Sequence, residues 1–273
     1  MSKSYAQFIA HLNRALTLPL KKWRRESVYR HLRDHHLTID RFDTPHGAFA
    51  MYATGADSMW IAREYDLYEI DTKAWIDSFP PNAVFWDIGA HVGMIALYAG
   101  KRGLRTIAFE PAAQSYALLM RNIELNRLDD KIEAYPIAIG AKKECARMYM
   151  AQTSPGSVHH AVGQTKDSLG QEIKVAFRQP VVTYNLDAAV QELKLPAPHY
   201  LKIDVDSIEE KILDGAPILL AGPALKEIMI ECAEREARTT ESIIAKLDAA
   251  GFKVINRDLL RQRLITNLHF VRK

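Results

Sequence analysis

From about residue 83 onward, short β-rich runs alternate with segments of helical periodicity, and this alternation limits the possible folds more than any other feature. The run over residues 84–88 is apolar apart from Asp87. A stretch with apolar residues at i, i+3, i+4 and i+7 from Val92 follows it. Such alternation is typical of a parallel sheet with helices on both faces. We therefore predict a doubly wound α/β fold with further strands at residues 106–110, 132–139, 200–205, 227–232, 252–255 and 268–271, the last two forming a hairpin-like pair.

Two segments depart from this alternation. Residues 141–183 contain Ser-Pro-Gly-Ser at 154–157 and alternate polar with apolar residues, which predicts a β-rich insertion in the α/β domain. Residues 1–82 are predicted to form a basic N-terminal region, and residues 83–273 the main domain. Within the N-terminal region the pattern predicts helices around residues 5–16 and 23–36, a hairpin near Gly47 and Gly55, and a helix that ends before Pro80.

The composition excludes several classes of protein. The chain has 273 residues, 48% hydrophobic and 25% charged, with a net charge of +3, which excludes a disordered chain, a collagen and a strongly basic nucleic-acid coat. Its two cysteines, Cys145 and Cys232, are too few for a disulfide framework or a four-ligand zinc site, so a cytoplasmic location is expected. No apolar run is long enough to span a membrane, and no signal peptide is expected.

The charge is distributed unevenly along the chain. Residues 1–40 contain eight Lys or Arg and three Asp or Glu, a net charge of +5, so that the rest of the chain carries −2. This asymmetry indicates a basic appendage that packs on the core, pairs subunits or attracts an anionic acceptor.

A glycine-containing turn follows the first strand of the predicted sheet and reads Asp87-Ile-Gly89-Ala-His-Val-Gly93. Turns at this place bind cofactors in doubly wound sheets, although they also allow close packing. The glycine spacing differs from the dinucleotide pattern, and Asp87 suits a cationic ligand better than a pyrophosphate. Glu110, at the end of the next strand, can accept hydrogen bonds from both hydroxyls of a ribose. Together these features indicate S-adenosylmethionine, which carries a sulfonium and an ammonium group.

An ordered set of motifs extends from this turn over residues 83–256. They are Val84-Phe-Trp-Asp-Ile-Gly-Ala-His-Val-Gly93, Ile107-Ala-Phe-Glu-Pro111, Arg121-Asn-Ile-Glu-Leu-Asn126, Tyr135-Pro-Ile-Ala-Ile-Gly140, Tyr184-Asn-Leu-Asp187, Leu201-Lys-Ile-Asp-Val-Asp-Ser-Ile-Glu209, Leu213-Asp-Gly-Ala216 and Ile228-Met-Ile-Glu231. In these motifs the chain resembles the FkbM family of S-adenosylmethionine-dependent methyltransferases. The resemblance implies a Rossmann-like class I methyltransferase with a seven-stranded, mostly parallel sheet, and O-methylation of hydroxyls on sugars or secondary metabolites. It also implies a cofactor site made of Asp87, Gly89, Ala90, His91, Gly93, Glu110, Pro111 and Ala138.

Charged residues at the ends of the fourth and fifth predicted strands are candidates for catalysis. Lys202 and Asp204 interrupt an apolar strand, where a charge is costly unless it is paired. They form either a structural ion pair or a catalytic group, in which Asp204 is the base or orients the acceptor and Lys202 or Glu231 assists. Asp204, Asp206 and Glu231 could alternatively hold Mg²⁺, but their spacing matches no metal pattern and we predict no metal. The candidates for substrate binding are His159, His160 and Asp206.

Other functions remain open. The chain lacks an Asn/Asp-Pro-Pro-aromatic motif after the fourth strand, so a hydroxyl on a small molecule or glycan is a better acceptor than an amino group, and no nucleic acid is expected. One alternative is an RNA-directed methyltransferase or nucleic-acid-binding protein that uses the basic residues 1–40. Another is a non-catalytic relative, because Asp206 and Ser207 replace a common Glu-Gly pair, as His91 replaces a common Asn. A homo-oligomer is compatible with the sequence, and a nicotinamide dehydrogenase is the least favoured function.

Overall fold

The computed structural model describes residues 2–35, 38–54, 65, 69–158, 160–166, 171–205, 208–233, 237–260 and 265–273. The chain divides into two compact units, residues 1–39 and 40–273. The boundary predicted from the sequence, between residues 82 and 83, lies inside the second unit. Among the helices of the described segments, none has the length and apolar character needed to cross a membrane.

The N-terminal unit contains two helices, α1 (Ser2–Thr17) and α2 (Lys22–His35), close to the helices predicted for this region. The Thr17 hydroxyl donates to the backbone oxygen of Asn13 and lies 2.8 Å from the hydroxyl of Tyr29. This contact ties the end of α1 to α2. Pro19, which has no N–H group, follows the end of α1 and cannot continue it.

Strands and helices alternate along the rest of the chain. The described strands are β1 (Ile39–Phe42), β2 (Phe49–Tyr52), β3 (Val84–Ile88), β4 (Arg105–Phe109), β5 (Ile132–Tyr135), β6 (Ala138–Ile139), β7 (Glu144–Met150), β8 (His160–Val162), β9 (Phe177–Tyr184), β10 (Tyr200–Ile203), β11 (Glu227–Ala233), β12 (Phe252–Leu260) and β13 (Ile265–Arg272). The described helices are α3 (Ile70–Asp77), α4 (Met94–Lys101), α5 (Ala113–Asn126), α6 (Leu186–Gln191), α7 (Glu209–Asp214), α8 (Pro217–Ala221) and α9 (Ala237–Ala249).

The main sheet of the described chain has seven strands, in the order β12-β13-β11-β10-β3-β4-β5. Paired neighbours run parallel except at β13, which is antiparallel to both β11 and β12. This topology confirms the predicted Rossmann-like, doubly wound fold and its final hairpin. The strand order reverses between β3 and β10, so a ligand-binding crevice is expected at the carboxyl ends of these two strands, where ligands bind in such folds.

Apolar side chains cover both faces of the main sheet. Phe85 and Trp86 are adjacent in β3 and fully buried, but they belong to separate core clusters because successive residues of a strand point to opposite faces. Asp87 lies two residues after Phe85 and therefore on the face covered by α4 and α5. A strand that is buried on both sides is typical of a parallel sheet between helical layers.

Residues 138–184 contain the β-rich insertion predicted from the sequence. Strands β6 to β9 form a four-stranded sheet in the order β6-β9-β7-β8, with β7 antiparallel to both β8 and β9. The third strand, predicted over residues 132–139, is in fact split between the two sheets. Pro136 interrupts it, because proline offers no N–H group to a neighbouring strand.

Some motif residues have structural roles away from the crevice. The Asp187 carboxylate accepts hydrogen bonds from the backbone N–H groups of Ile218 and Leu219, at 2.9 and 2.8 Å, and so caps the start of α8. A Cβ atom on Gly215 would lie 2.6 Å from Cβ of Asn185. Asp187 and Gly215 therefore have structural roles, in helix capping and close packing, which account for the motifs that contain them.

Candidate active site

The glycine turn after β3 packs closely against the segment that follows β10. Gly89 has φ of +87°, and a Cβ atom on it would lie 1.9 Å from the backbone oxygen of Asp204. The backbone N–H of Asp204 in turn donates to the carbonyl oxygen of Ile88 at 3.0 Å. The contact between the two segments therefore requires glycine at position 89.

Hydrogen bonds to the end of β4 orient the backbone amides of the turn. The N–H groups of Gly89 and Ala90 both donate to the carbonyl oxygen of Phe109 at 3.0 Å. The N–H of His91, which has φ of 53°, donates to Oε2 of Glu110 at 2.9 Å. This hydrogen bond holds the turn against the end of β4.

Glu110 joins two loops at the edge of the crevice. Its side chain is buried, and Oε1 accepts a hydrogen bond from the backbone N–H of Ala112 at 2.7 Å, while Oε2 accepts the one from His91. A carboxylate offers about four acceptor sites, so these two bonds are compatible with further bonds from the hydroxyls of a ribose.

Helix α5 packs against the glycine turn. Gly93 has φ of +98°, which favours glycine, and a Cβ atom on it would lie 2.5 Å from Cδ1 of Leu119, which would have to move. The side-chain amide of Asn122 donates to the carbonyl oxygen of Val92 at 2.9 Å, and its Oδ1 accepts from the backbone N–H of Tyr52. The sequence motif contained Asn122, but only the structure shows that it links the turn to β2.

The Asp87 carboxylate is buried, with 1% of the residue exposed. Neither of its oxygens makes a hydrogen bond of ordinary geometry with a described residue. Burial raises the pKa of Asp87 to about 7. The positive charge of Lys202 lowers this pKa, and the negative charges of Glu69 and Asp204 raise it. The smallest effect is a lowering by the backbone of Ala96. Because a buried carboxylate is costly without a compensating cation, Asp87 favours a positively charged ligand.

Lys202 lies at the centre of a group of carboxylates that we call the charge cluster. Its Nζ lies 2.5 Å from Oδ2 of Asp204 and 3.5 Å from Oε1 of Glu69, and its backbone is the register partner of Asp87. Burial alone would lower the pKa of Lys202, but nearby carboxylates raise it well above its usual range. These carboxylates, which with Lys202 make up the charge cluster, are Asp204, Glu69, Asp87 and Glu231. Four acids around one ammonium leave an excess of negative charge, which suits a cationic ligand.

Glu69 is a member of the cluster that the sequence did not indicate. It immediately precedes α3 in the left-handed conformation, with φ of 48° and ψ of 45°, which is unfavourable for a residue with a side chain. Its side chain is 12% exposed and pairs with Lys202. Backbone strain of this kind occurs at functional sites, but no local pattern distinguishes Glu69 from other acids at helix starts.

The structure places the predicted site residues in three groups. Lys202, Asp204 and Glu231 come together with Asp87 in the charge cluster, and Gly89 contacts the same region through Asp204. The remaining described residues of the turn, with Glu110, line the adjacent end of β4. Two predicted cofactor residues are associated with the insertion instead: the carbonyl oxygen of Pro111 accepts a hydrogen bond from Gln179 at 2.6 Å, and Ala138 lies in β6 of the insertion, in a small apolar cluster with Ala112.

The predicted substrate-binding residues are only partly covered by the structure. His160 is buried in β8, with Nε2 3.0 Å from the hydroxyl of Ser157, and no described contact joins it to the charge cluster. His159 and Asp206 lie outside the described residues. Within the described segments, no three His, Cys, Asp or Glu side chains are arranged to hold a metal ion. Asp206, one of the three alternative magnesium ligands, lies outside these segments.

One loop of the insertion reaches the glycine turn. A Cβ atom on Gly156 would lie 3.5 Å from Cε1 of His91 and from Cγ1 of Val92, and the N–H of Gly156 donates to the hydroxyl of Ser115 at 3.2 Å. The insertion therefore borders the turn on the side of His91.

Comparison with known proteins identifies the family. The methyltransferase FkbM domain matches residues 87–254. Over 237 residues the chain is 22% identical to the 31-O-demethyl-FK506 methyltransferase FkbM of Streptomyces tacrolimicus, which covers 80% of this chain and 90% of that protein. Over 182 residues it is 23% identical to Methyltransferase 1 of Beauveria bassiana, covering 61% and 72% of the two chains. The magnesium protoporphyrin IX methyltransferase of Synechocystis, solved with bound S-adenosylmethionine, is similar with a TM-score of 0.48 and 11% identity over 79% of this chain and 83% of that chain.

The family match covers more than half of the chain and includes the glycine turn, Glu110 and the charge-cluster residues of β10 and β11. The chain therefore belongs to the FkbM domain family of S-adenosylmethionine-dependent methyltransferases.

Proposed function

We propose that this protein transfers a methyl group from S-adenosylmethionine to a hydroxyl oxygen of a small molecule, either a sugar or glycan or a secondary metabolite. The observation that carries the proposal is the charge cluster, in which Asp87, Glu69 and Asp204 surround the buried ammonium of Lys202 beside the glycine turn. The name of the Streptomyces relative supports an oxygen acceptor. Cys145 and Cys232 form no disulfide bond in the described structure, which suits the cytoplasmic location that is part of this proposal.

The residues at the carboxyl ends of β3 and β4 fit the cofactor. The buried Asp87 carboxylate and the excess acid of the charge cluster favour the cationic methionine end, and Glu110 can accept hydrogen bonds from ribose hydroxyls. When bound, the cofactor would supply an electrophilic methyl group on its sulfonium: the C–O bond to the acceptor would form in line as the C–S bond breaks, and neutral S-adenosylhomocysteine would leave. The turn amides of Ala90 and His91 and the edge of the insertion at Gly156 would border it.

Asp204 is proposed to orient the acceptor and take its proton. Its Oδ2 is held by Lys202 at 2.5 Å, and its Oδ1 accepts no hydrogen bond from the described residues. The side chain is 28% exposed, whereas that of Lys202 is 6% exposed. Asp204 can therefore contact an acceptor hydroxyl, whereas Lys202 acts as a positioning residue that holds the carboxylate in place through their ion pair.

The experiment is a methyl-transfer assay with carbon-13-methyl-labelled S-adenosylmethionine and a panel of sugars and hydroxylated metabolites. The carbon-13 shift of the product distinguishes a methyl group on oxygen from one on nitrogen or carbon. Asp204→Asn should lower kcat at least about a hundredfold, because general-base assistance of this kind contributes that much, while calorimetric cofactor affinity falls by no more than about fivefold, the effect of losing one negative charge. The control is Asp130→Asn, an exposed carboxylate whose loss should leave kcat unchanged. Methyl transfer to nitrogen, or full activity of Asp204→Asn, would contradict the proposal.

A further inference from the structure

We infer that the N-terminal unit docks on an anionic lipid surface through the apolar face of α1 and the turn that follows it. Five residues of α1 recur at the spacing of one helical face, and each is between 37% and 68% exposed. They are Tyr5, Phe8, Ile9, Leu12 and Leu16. The opposite face of α1 carries Gln7, His11 and Arg14, so the helix separates apolar from polar residues over its whole length.

The turn between the two helices adds a second apolar element with cations around it. Leu18 is 64% exposed and Trp23 is 62% exposed. Lys21, Lys22 and Arg24 are exposed beside them, and the Arg24 guanidinium lies 5.2 Å from the centre of the Trp23 ring. Tryptophan and leucine flanked by lysine and arginine are typical of segments that insert at the boundary between headgroups and acyl chains.

The apolar exposure is concentrated in this unit. Eight of the seventeen exposed large apolar side chains in the described residues lie between Tyr5 and Tyr29. The Thr17–Tyr29 contact ties α2 to α1 on a different side of α1 from the five exposed side chains, which α2 leaves uncovered. A contiguous exposed apolar patch of this kind marks an interaction surface.

Charge complementarity identifies the partner as an anionic lipid surface. Residues 1–40 carry a net charge of +5, whereas the rest of the chain carries −2, so the attraction to anionic headgroups is confined to this unit. A nucleic acid would pair with the lysines and arginines but would give Ile9, Leu12 and Leu16 no apolar partner. A second copy of the unit would bring two sets of like charges together. At 16 residues, α1 is too short to cross a bilayer and is suited to lie along its surface.

The test is co-sedimentation of the full chain with vesicles of phosphatidylcholine alone and of phosphatidylcholine mixed with phosphatidylserine. We expect binding to the mixed vesicles that weakens as salt is raised, and at least tenfold weaker binding to phosphatidylcholine alone. Neutralising two cations in Lys21→Gln/Lys22→Gln should weaken binding to the mixed vesicles by about twenty-fivefold, since each cation near such a surface contributes about fivefold. Phe8→Ser should weaken it at least tenfold through lost apolar burial.

Matched controls change a similar side chain elsewhere. Lys174→Gln removes an exposed cation of the insertion and Met120→Ser removes an exposed apolar side chain of α5, and neither should change vesicle binding. All variants should retain cofactor affinity in calorimetry, which shows that they fold and separates this inference from the proposed activity. Equal binding to both kinds of vesicle would overturn the inference. So would absence of vesicle binding, whether accompanied by salt-sensitive binding to RNA or by a dimer in sedimentation equilibrium that Phe8→Ser dissociates.

Discussion

The backbone oxygen of Asp204 occupies the space in which Gly89 would carry a side chain, at 1.9 Å from the position of its missing Cβ atom. This contact places Asp204, the candidate catalytic residue, directly against the turn that is expected to bind the cofactor. The methyl donor and the proton acceptor would thus be positioned by the same two backbone segments. A change at Gly89 should consequently affect both cofactor binding and the orientation of Asp204.

Gly89→Ala should destabilise the protein and weaken cofactor binding together. The alanine would have to adopt φ of +87° and displace the Asp204 backbone, and we expect a loss of about 3 kcal/mol in the free energy of unfolding. Gly103→Ala is the matched control, because Gly103 also has φ of +87° but a Cβ atom there would meet nothing within 4 Å. Its expected loss is about 1 kcal/mol. Urea denaturation measures both; equal losses would show that the contact with Asp204 contributes nothing.

Asp87→Asn should stabilise the ligand-free protein while weakening cofactor binding. The pKa of Asp87 is about 7 in the folded protein and 3.8 for an aspartate in the unfolded chain, so between these pH values the folded state binds more protons and its stability falls as pH rises. Asp87→Asn has no ionisable group at this position, so its stability does not fall in this way. At pH 8 the gain in the free energy of unfolding is at most about 4 kcal/mol, reduced by the cost of a buried amide.

The pH dependence tests this assignment of Asp87. The stability difference between Asp87→Asn and the unmodified protein should shrink as pH falls from 8 to 5, and the cofactor affinity of the unmodified protein should fall over the same range as Asp87 takes up a proton. Denaturation and calorimetry at several pH values measure the two effects. An Asp87→Asn variant that is less stable than the unmodified protein at pH 8 would show instead that Asp87 stabilises the fold.

Lys202→Met should be strongly destabilising. It removes the buried ammonium that compensates the buried carboxylate of Asp87 and the half-buried one of Asp204, and removing one partner of a buried ion pair costs about 3–5 kcal/mol. Asp204→Asn keeps a hydrogen-bond acceptor for Lys202 and should cost much less. Urea denaturation of the two single variants and the double variant gives their coupling energy; near-additive losses would exclude a direct ion pair.

Glu69→Gln should lower cofactor affinity without a change in fold. The substitution keeps the shape of the side chain but removes one negative charge from the cluster around Lys202, which we expect to weaken binding of a cationic ligand by about 1 kcal/mol, or about fivefold. Glu124→Gln on the exposed side of α5 is the control for loss of an acid. Unchanged calorimetric affinity of Glu69→Gln would remove Glu69 from the site.

The order of strands and helices could be predicted from the sequence because it depends on local patterns. Buried parallel strands are apolar runs, amphipathic helices repeat every 3.6 residues, and the glycine turn lies between the two. The insertion was recognisable by its loss of helical periodicity. The prediction of one strand over residues 132–139 was wrong. Pro136 separates two strands in this segment, and they belong to two different sheets.

The sequence by itself determined the α/β fold class, the family and the positions of Asp87, Lys202 and Asp204 at strand ends, since each depends on residues that are neighbours in the chain. Only the tertiary structure decided that Glu69 pairs with Lys202 and that Gly89 is required by the Asp204 backbone. Both contacts join segments far apart in the chain, and which segments meet depends on how strands and helices pack. Burial likewise decides the pKa of Asp87, because the free energy of a charge depends on its surroundings and not on its place in the sequence.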